Sequence, residues 1–196
     1  MSMKKFLLFM SVLFMSCHCM AQNYIDADSV AMAKADSCVN VVLKSYQEND
    51  VFTKGGLLDK FTYQQVPNLT KCRLAYYKLR KYFVDNIYEV EIWFQKDDES
   101  LLKFDCRYFV KDNLLEFFDD YFILGDYKKK YPKVRRWEMI RQGKVCIGMT
   151  KDECKLSIGI PQDINTTTLS TGKKEQWVYP YSYVYFRNGV VTAIQD

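Results

Sequence analysis

Acidic pairs and thiols are the side chains of this sequence best suited to chemistry. Asp97-Asp98 and Asp119-Asp120 each set two carboxylates together, and two carboxylates at a suitable separation can divide general acid and base work between them. Cys38, Cys72, Cys106, Cys146 and Cys154 supply thiols, which attack only as thiolates and so need nearby cations to lower their pKa. Both sets read more simply as structure. Adjacent side chains on a strand point to opposite faces, so neither acid pair converges on one substrate. Asp97-Asp98 sits among Lys96, Glu99 and Ser100, the company of a solvated turn. The cysteines lack metal-knuckle spacing and mostly read as small buried apolar residues, with Cys146 and Cys154 the two candidates for a reactive thiol.

The only histidine, His18, falls within the first 21 residues. There, Lys4 and Lys5 precede a short apolar run from Phe6 to Met15, and Cys19-Met20-Ala21 offers small residues before Gln22. This is the pattern of a secretory signal peptide cleaved after Ala21; the run is far short of the roughly 20 residues of a spanning helix. Cys17 raises an alternative, lipidation, although Phe14-Met15-Ser16 makes a poor lipobox. Cleavage would take His18 with it, leaving no imidazole for serine, cysteine or metal chemistry. No catalytic, cofactor-binding or metal-binding residues are therefore expected, and no cofactor. Export would permit disulfides, with at least one of the five remaining thiols unpaired.

Charge narrows the partners. The net charge of +4 falls to +2 once Lys4 and Lys5 are lost with the leader, well short of the basic excess of a nucleic-acid binder. A protein partner or an anionic membrane surface is expected instead.

The elements that must position these residues divide at a basic stretch. From Asp28, an N-cap type, apolar residues at Met32, Ala35, Val39, Val42, Leu43 and Tyr46 follow a helical face through about Gln47. Gly55-Gly56 breaks the chain, and Thr70 caps an expected second helix with Ala75, Tyr76, Leu79 and Phe83 on one face. After Asn86 the period changes to two. Tyr88, Val90, Ile92 and Phe94, then Leu102, Phe104, Cys106, Tyr108 and Val110, alternate with polar residues as a hairpin would. Leu114 to Ile123 fits a third strand or a short helix equally well. Residues 22–130 thus read as an N-terminal α+β region of two helices followed by antiparallel strands.

Lys128, Lys129, Lys130, Lys133, Arg135 and Arg136 crowd the next segment. Residues 131–136 read as a solvated linker; the competing reading is a docking surface for anionic lipid, where each cation contributes about 1 kcal/mol.

Beyond it, residues 137–196 carry the most specific signals. Thr150 with Glu153 is a capping box for a helix from Lys151 that Gly159 and Pro161 close. Glu175-Gln176-Trp177-Val178-Tyr179 and Tyr183-Val184-Tyr185-Phe186 read as strands, and Asn188-Gly189 as a hairpin turn into Val190-Val191-Thr192-Ala193-Ile194. The expected outcome is a helix on a three-stranded antiparallel sheet. Alternation leaves either Tyr183 with Tyr185 or Val184 with Phe186 facing outward, and outward tyrosines would suit an interface.

In order and spacing, Gly148-Met149-Thr150 with Glu153, Gly159 with Pro161, Trp177 with Tyr179, and Phe186 with Asn188-Gly189 resemble the SmpA/OmlA (BamE-like) pattern, and more distantly the β-lactamase-inhibitor-like fold. The chain as a whole thus reads as α+β in two small modules, and for the C-terminal one the resemblance implies helices on a three-stranded antiparallel sheet. It also implies a periplasmic or outer-membrane-associated location and a non-enzymatic role played through contacts, as in outer-membrane protein assembly or envelope integrity. The alternative is a secreted, enzyme-inhibitor-like binding protein. A looser reading makes the N-terminal half, helices then strands, a divergent repeat of the C-terminal one.

Overall fold

The structure, a computed structural model, describes residues 32–82, 87–108 and 111–196. The signal peptide, cleavage after Ala21, the lipid site at Cys17 and the cap at Asp28 lie outside these residues, as do Phe83, Asn86 and Val110. The chain divides into two compact units, Met1–Val41 and Val42–Asp196. In the first, the described residues are helical, with Asn40 donating to Asp36 across one turn at 3.2 Å. The helix, α1, covers 32–47 among the described residues.

Within the second unit, β1 (Val51–Thr53), β2 (Lys71–Tyr82), β3 (Ile87–Lys96), β4 (Leu101–Tyr108) and β5 (Phe122–Leu124) form an antiparallel sheet in the order β4-β3-β2-β1-β5. Helix α2 (Lys111–Tyr121) precedes β5, so the Leu114–Ile123 segment takes the helical option for most of its length. The period-two residues Val90, Ile92, Phe94, Leu102 and Phe104 are buried beneath α2 side chains Leu114 and Phe118. Aromatic contacts bind this layer: Phe94 stacks on Phe122 at 4.8 Å, and Tyr46 meets Phe118 at 4.2 Å.

The expected helix after Thr70 is instead the twelve-residue strand β2. A bulge between Leu74 and Tyr76 explains the misleading period. Cys72 and Leu74 face the core; after the extra residue, Ala75, the inward positions become Tyr77 and Leu79, opposite Ile92 and Val90. The switch of phase breaks the period-two pattern along β2, and the face read as helical mixes the exposed Ala75 and Tyr76 with the inward Leu79.

Short helices α3 (Tyr127–Lys130) and α4 (Trp137–Arg141) lead to α5 (Lys151–Ile158) and a meander of β6 (Asp163–Leu169), β7 (Gly172–Val178), β8 (Tyr183–Arg187) and β9 (Val190–Gln195). The C-terminal sheet has four strands rather than three. The additional strand, Asp-Ile-Asn-Thr-Thr-Thr-Leu, is exposed at every residue and so shows no apolar alternation; its β-branched residues carry the strand preference. Both sheets contain a meander of consecutive strands, β1 to β4 in one and β6 to β9 in the other, and the first adds β5 beside β1.

Helix α5 packs on both sheets, with Cys154 in the core of the C-terminal one and Leu156 against the first. Leu69, just before β2, and Ile123 in β5 form one apolar cluster with Val134, Ile140 and Leu156 from the segment before and within α5. Val134 lies in the stretch read as a solvated linker, and its burial shows that the basic run is folded against the body. Backbone also meets backbone here. A Cβ on Gly55 would lie 2.3 Å from the Ser157 carbonyl oxygen, and one on Gly159, at φ +86°, would lie 2.7 Å from the Gly55 oxygen. The glycines at the Gly55-Gly56 break and in the Gly159/Pro161 motif are thus two sides of one close crossing.

Candidate interaction surface

The motif residues of the C-terminal part build its scaffold. Thr150 accepts from the Glu153 N–H, and Glu153 accepts from the Thr150 N–H, completing the capping box. The Glu153 carboxylate also accepts from the Arg135 and Arg136 N–H groups and pairs with the Arg136 guanidinium at 3.1 Å. Burial would raise its pKa, but these donors outweigh burial and hold it below its ordinary value. Met149, Trp177, Tyr179 and Phe186 join Cys154, Val184 and Val191 in the core under α5. The Tyr179 hydroxyl donates to the Gly159 carbonyl at 3.1 Å. Pro161 is buried. Asn188 and Gly189 both take positive φ, 51° and 82°, as the tight turn requires. Gly148 also has positive φ and lies against the Arg136 guanidinium.

Glu175 is the charged member of this inner layer. It accepts from Lys151 at 2.6 Å, from Lys173 at 2.8 Å and from the Trp177 indole N–H at 3.0 Å. Those donors, the two lysines foremost, bring its pKa down to about 2.

With Val184 and Phe186 inward, Tyr183 and Tyr185 take the other face of the sheet. No helix covers it. A chain of side-chain hydrogen bonds crosses all four strands: Asn165 Nδ2 donates to Gln176 at 3.1 Å, Gln176 Nε2 to the Tyr185 oxygen at 3.0 Å, and the Tyr185 hydroxyl to Gln195 at 2.9 Å. Beside it lies a shallow concavity of about 530 Å³ lined by Asn165, Thr167, Lys174, Tyr185, Arg187 and Thr192. Lys174 and Arg187 stand directly opposite each other on β7 and β8, and among the described residues neither has an acidic partner. Like charges in facing positions cost stability, so this pair favours an anionic group supplied from outside. The sequence reading named Tyr183 and Tyr185 but missed these cations, because their facing register follows from the strand pairing.

The other expected surface residues are placed separately. Lys128, Lys129 and Lys130 are exposed on α3, which Asp126 caps by accepting from the Lys128 and Lys129 N–H groups. Arg135 is exposed and donates to the Pro132 carbonyl at 2.7 Å, while Arg136 is committed to Glu153.

The acid pairs and thiols fall as follows. Asp98 caps its own turn by accepting from Ser100 N and Oγ. Asp119 and Asp120, at the end of α2, line a concavity of about 220 Å³ with Lys54, Tyr131, Asp152 and Lys155. Here burial, then repulsion by Lys130, lowers the Lys54 pKa to about 8, and burial, then Glu116, raises that of Asp120. The Lys54 ammonium donates to the Asp119 carbonyl, capping the last turn of α2, where no basic residue of the helix stands. This arrangement anchors a helix end. Burial pushes the Cys72, Cys106 and Cys154 thiols up to about 12, the opposite of what a nucleophile needs. All five described cysteines are free thiols.

A second surface cluster lay hidden by the misread helix. On the outer side of the first sheet Tyr76 stacks on Trp93 at 5.5 Å, Phe61 approaches the same indole at 6.1 Å, and Lys103 lies over it.

Compared with known proteins, the chain matches no family model, no curated protein and no solved structure.

Proposed function

We propose that the protein is an exported, non-enzymatic interaction protein of the cell envelope, and that it works through the uncovered face of its C-terminal sheet. The observation that carries this reading is the division of that sheet: one face is closed by α5 over Trp177 and Phe186, while the other offers an ordered polar and tyrosine surface with an unpaired Lys174/Arg187 pair. Ordered side chains lower the entropy cost of binding, and tyrosine with arginine is favoured where partners dock. The partner would present an acidic group to the two cations.

The resemblance of residues 137–196 to SmpA/OmlA domains and the signal-peptide pattern support a periplasmic or outer-membrane-associated setting, with outer-membrane protein assembly or envelope integrity as the process served. A second reading, an inhibitor-like protein that fills an enzyme cleft, draws on Tyr181, which is 93% exposed in the β7–β8 turn.

The test uses point substitutions, because removing residues 137–196 would also strip the cover from Leu69 and Ile123. Envelope fractions are probed by affinity capture with the wild type and with Lys174→Glu, Arg187→Glu. Capture of an envelope protein by the wild type, lost with the variant, supports the proposal. Equal capture by both contradicts it, and capture of a soluble hydrolase that the wild type inhibits moves the role to the second reading.

A further inference from the structure

Strand β6 is an edge of the four-stranded sheet, and all of Asp163–Leu169 is exposed. It joins β7 through Ser170-Thr171, with Leu169 opposite Gly172, Thr167 opposite Lys174, and Asn165 opposite Gln176. A two-residue hairpin loop is flanked by a hydrogen-bonded pair, and bonded pairs then alternate along the ladder. Asp163, Asn165, Thr167 and Leu169 therefore turn their backbone groups toward β7, and Ile164, Thr166 and Thr168 turn theirs toward the open edge. The Ile164 N–H agrees with this assignment, since its partner is the Asp163 carboxylate at 2.8 Å.

Natural sheets blunt such edges with lysine, proline, a bulge or a covering element. β6 contains no lysine, arginine or proline, and its register runs without a shift from Asp163 to Leu169. The exposure of every residue shows that, among the described residues, nothing covers it.

We infer that β6 pairs with β6 of a second copy of this chain, antiparallel about a two-fold axis through Thr166, joining the two C-terminal sheets into one. The free groups set the register. Thr166 meets Thr166 of the other copy and Ile164 meets Thr168, the Ile164 N–H exchanging the Asp163 carboxylate for the Thr168 carbonyl, so each facing pair exchanges two main-chain bonds. Between them Asn165 faces Thr167, and Asp163 faces Leu169. No like charges meet, and the acidic start of each β6 comes to the end where the other copy carries Lys173 and Lys174. Sliding by one residue would set free groups against groups already bonded to β7, and sliding by two would leave a free residue unpaired on each strand. In register and in charge the segment is thus its own complement. This inference does not rest on the envelope reading.

The test is register-specific crosslinking of the full chain, with the wild type as the baseline for its native thiols. Facing residues of a hydrogen-bonded antiparallel pair lie about 5.5 Å apart at Cα, within disulfide reach. Thr166→Cys should give a disulfide-linked dimer, Thr168→Cys no more dimer than the wild type, and Thr168→Cys with Ile164→Cys should restore it. Thr166→Pro removes an N–H that the hairpin does not use. It should leave the circular dichroism spectrum unchanged and weaken association measured by sedimentation about tenfold or more. A wild type that stays monomeric at every concentration tested, equal crosslinking at 166 and 168, or undiminished association of Thr166→Pro would overturn the inference.

Discussion

Asn68 and Ser157, 89 residues apart, are joined by a buried hydrogen bond: Asn68 Nδ2 donates to the Ser157 carbonyl at 2.5 Å, and also to the Ile140 carbonyl at 2.6 Å. One side chain before β2 thereby fixes the ends of both α4 and α5. Beside it, Gly55 N donates to the Leu156 carbonyl at 3.0 Å. The face of the C-terminal sheet is held on a body that includes both sheets.

That junction predicts one cooperative unfolding transition for residues 42–196. Asn68→Ala leaves two buried carbonyls without this donor and should cost about 1–3 kcal/mol. Gly55→Ala forces a Cβ against the Ser157 oxygen and should cost about 3 kcal/mol. In chemical denaturation, far-ultraviolet circular dichroism and tryptophan fluorescence should shift together in both variants. Separate transitions for the two probes would mean that the sheets unfold independently.

Glu175 supplies an acid-side test. Its pKa falls from 4.5 unfolded to about 2 folded, so its contribution is fully present above pH 4.5 and is lost as the pH drops through about 2. Glu175→Gln should cost about 2 kcal/mol at neutral pH, the scale of hydrogen bonds to a charged group. The variant should lose less stability than the wild type between pH 4.5 and 2, measured by urea denaturation.

Lys54 has the opposite slope. With its pKa lowered from 10.5 to about 8, the folded protein releases this proton before the unfolded chain does, so stability gains from Lys54 as the pH rises from about 8 toward 10.5. Below pH 8 the buried ammonium is carried at a cost. Lys54→Met should therefore sit close to the wild type at pH 7 and fall behind it by pH 9.5 in paired denaturation curves. A constant difference between the two would show that Lys54 does not titrate in this window.

The Lys174/Arg187 pair separates binding from stability. Arg187→Glu converts a facing repulsion into an attraction and should stabilise the protein by about 0.5 kcal/mol, while abolishing capture of an acidic partner. Gln176→Ala, at a half-buried position, removes two cross-strand hydrogen bonds and should cost about 1 kcal/mol in urea denaturation.

Much of the C-terminal part was legible because local chemistry and burial agree there. Thr150 and Glu153 mark a cap, Gly159 a helix end, Asn188-Gly189 a turn, and Trp177, Tyr179, Val184 and Phe186 alternate toward one core. Legibility failed where geometry overrode the period: the bulge at Ala75 disguised β2 as a helix, and β6 has no buried face to announce it. Val134 was hidden differently. Its neighbours Lys133, Arg135 and Arg136 gave the segment the look of a linker, although one apolar side chain suffices to dock it. Lys174 and Arg187 are thirteen residues apart in sequence, and only the β7–β8 register sets them face to face.

The central claim, that the open face of the C-terminal sheet is the working surface, is tested most directly by site-specific photocrosslinking in the native envelope. A photoreactive residue replaces Tyr183 in one variant and Tyr63, which is 77% exposed in the loop before β2, in the other. Position 183 should capture a defined envelope partner, identified by mass spectrometry, and that capture should disappear when Lys174 and Arg187 are changed to glutamate. Capture from position 63 alone, or capture from 183 that survives loss of the two cations, would contradict it.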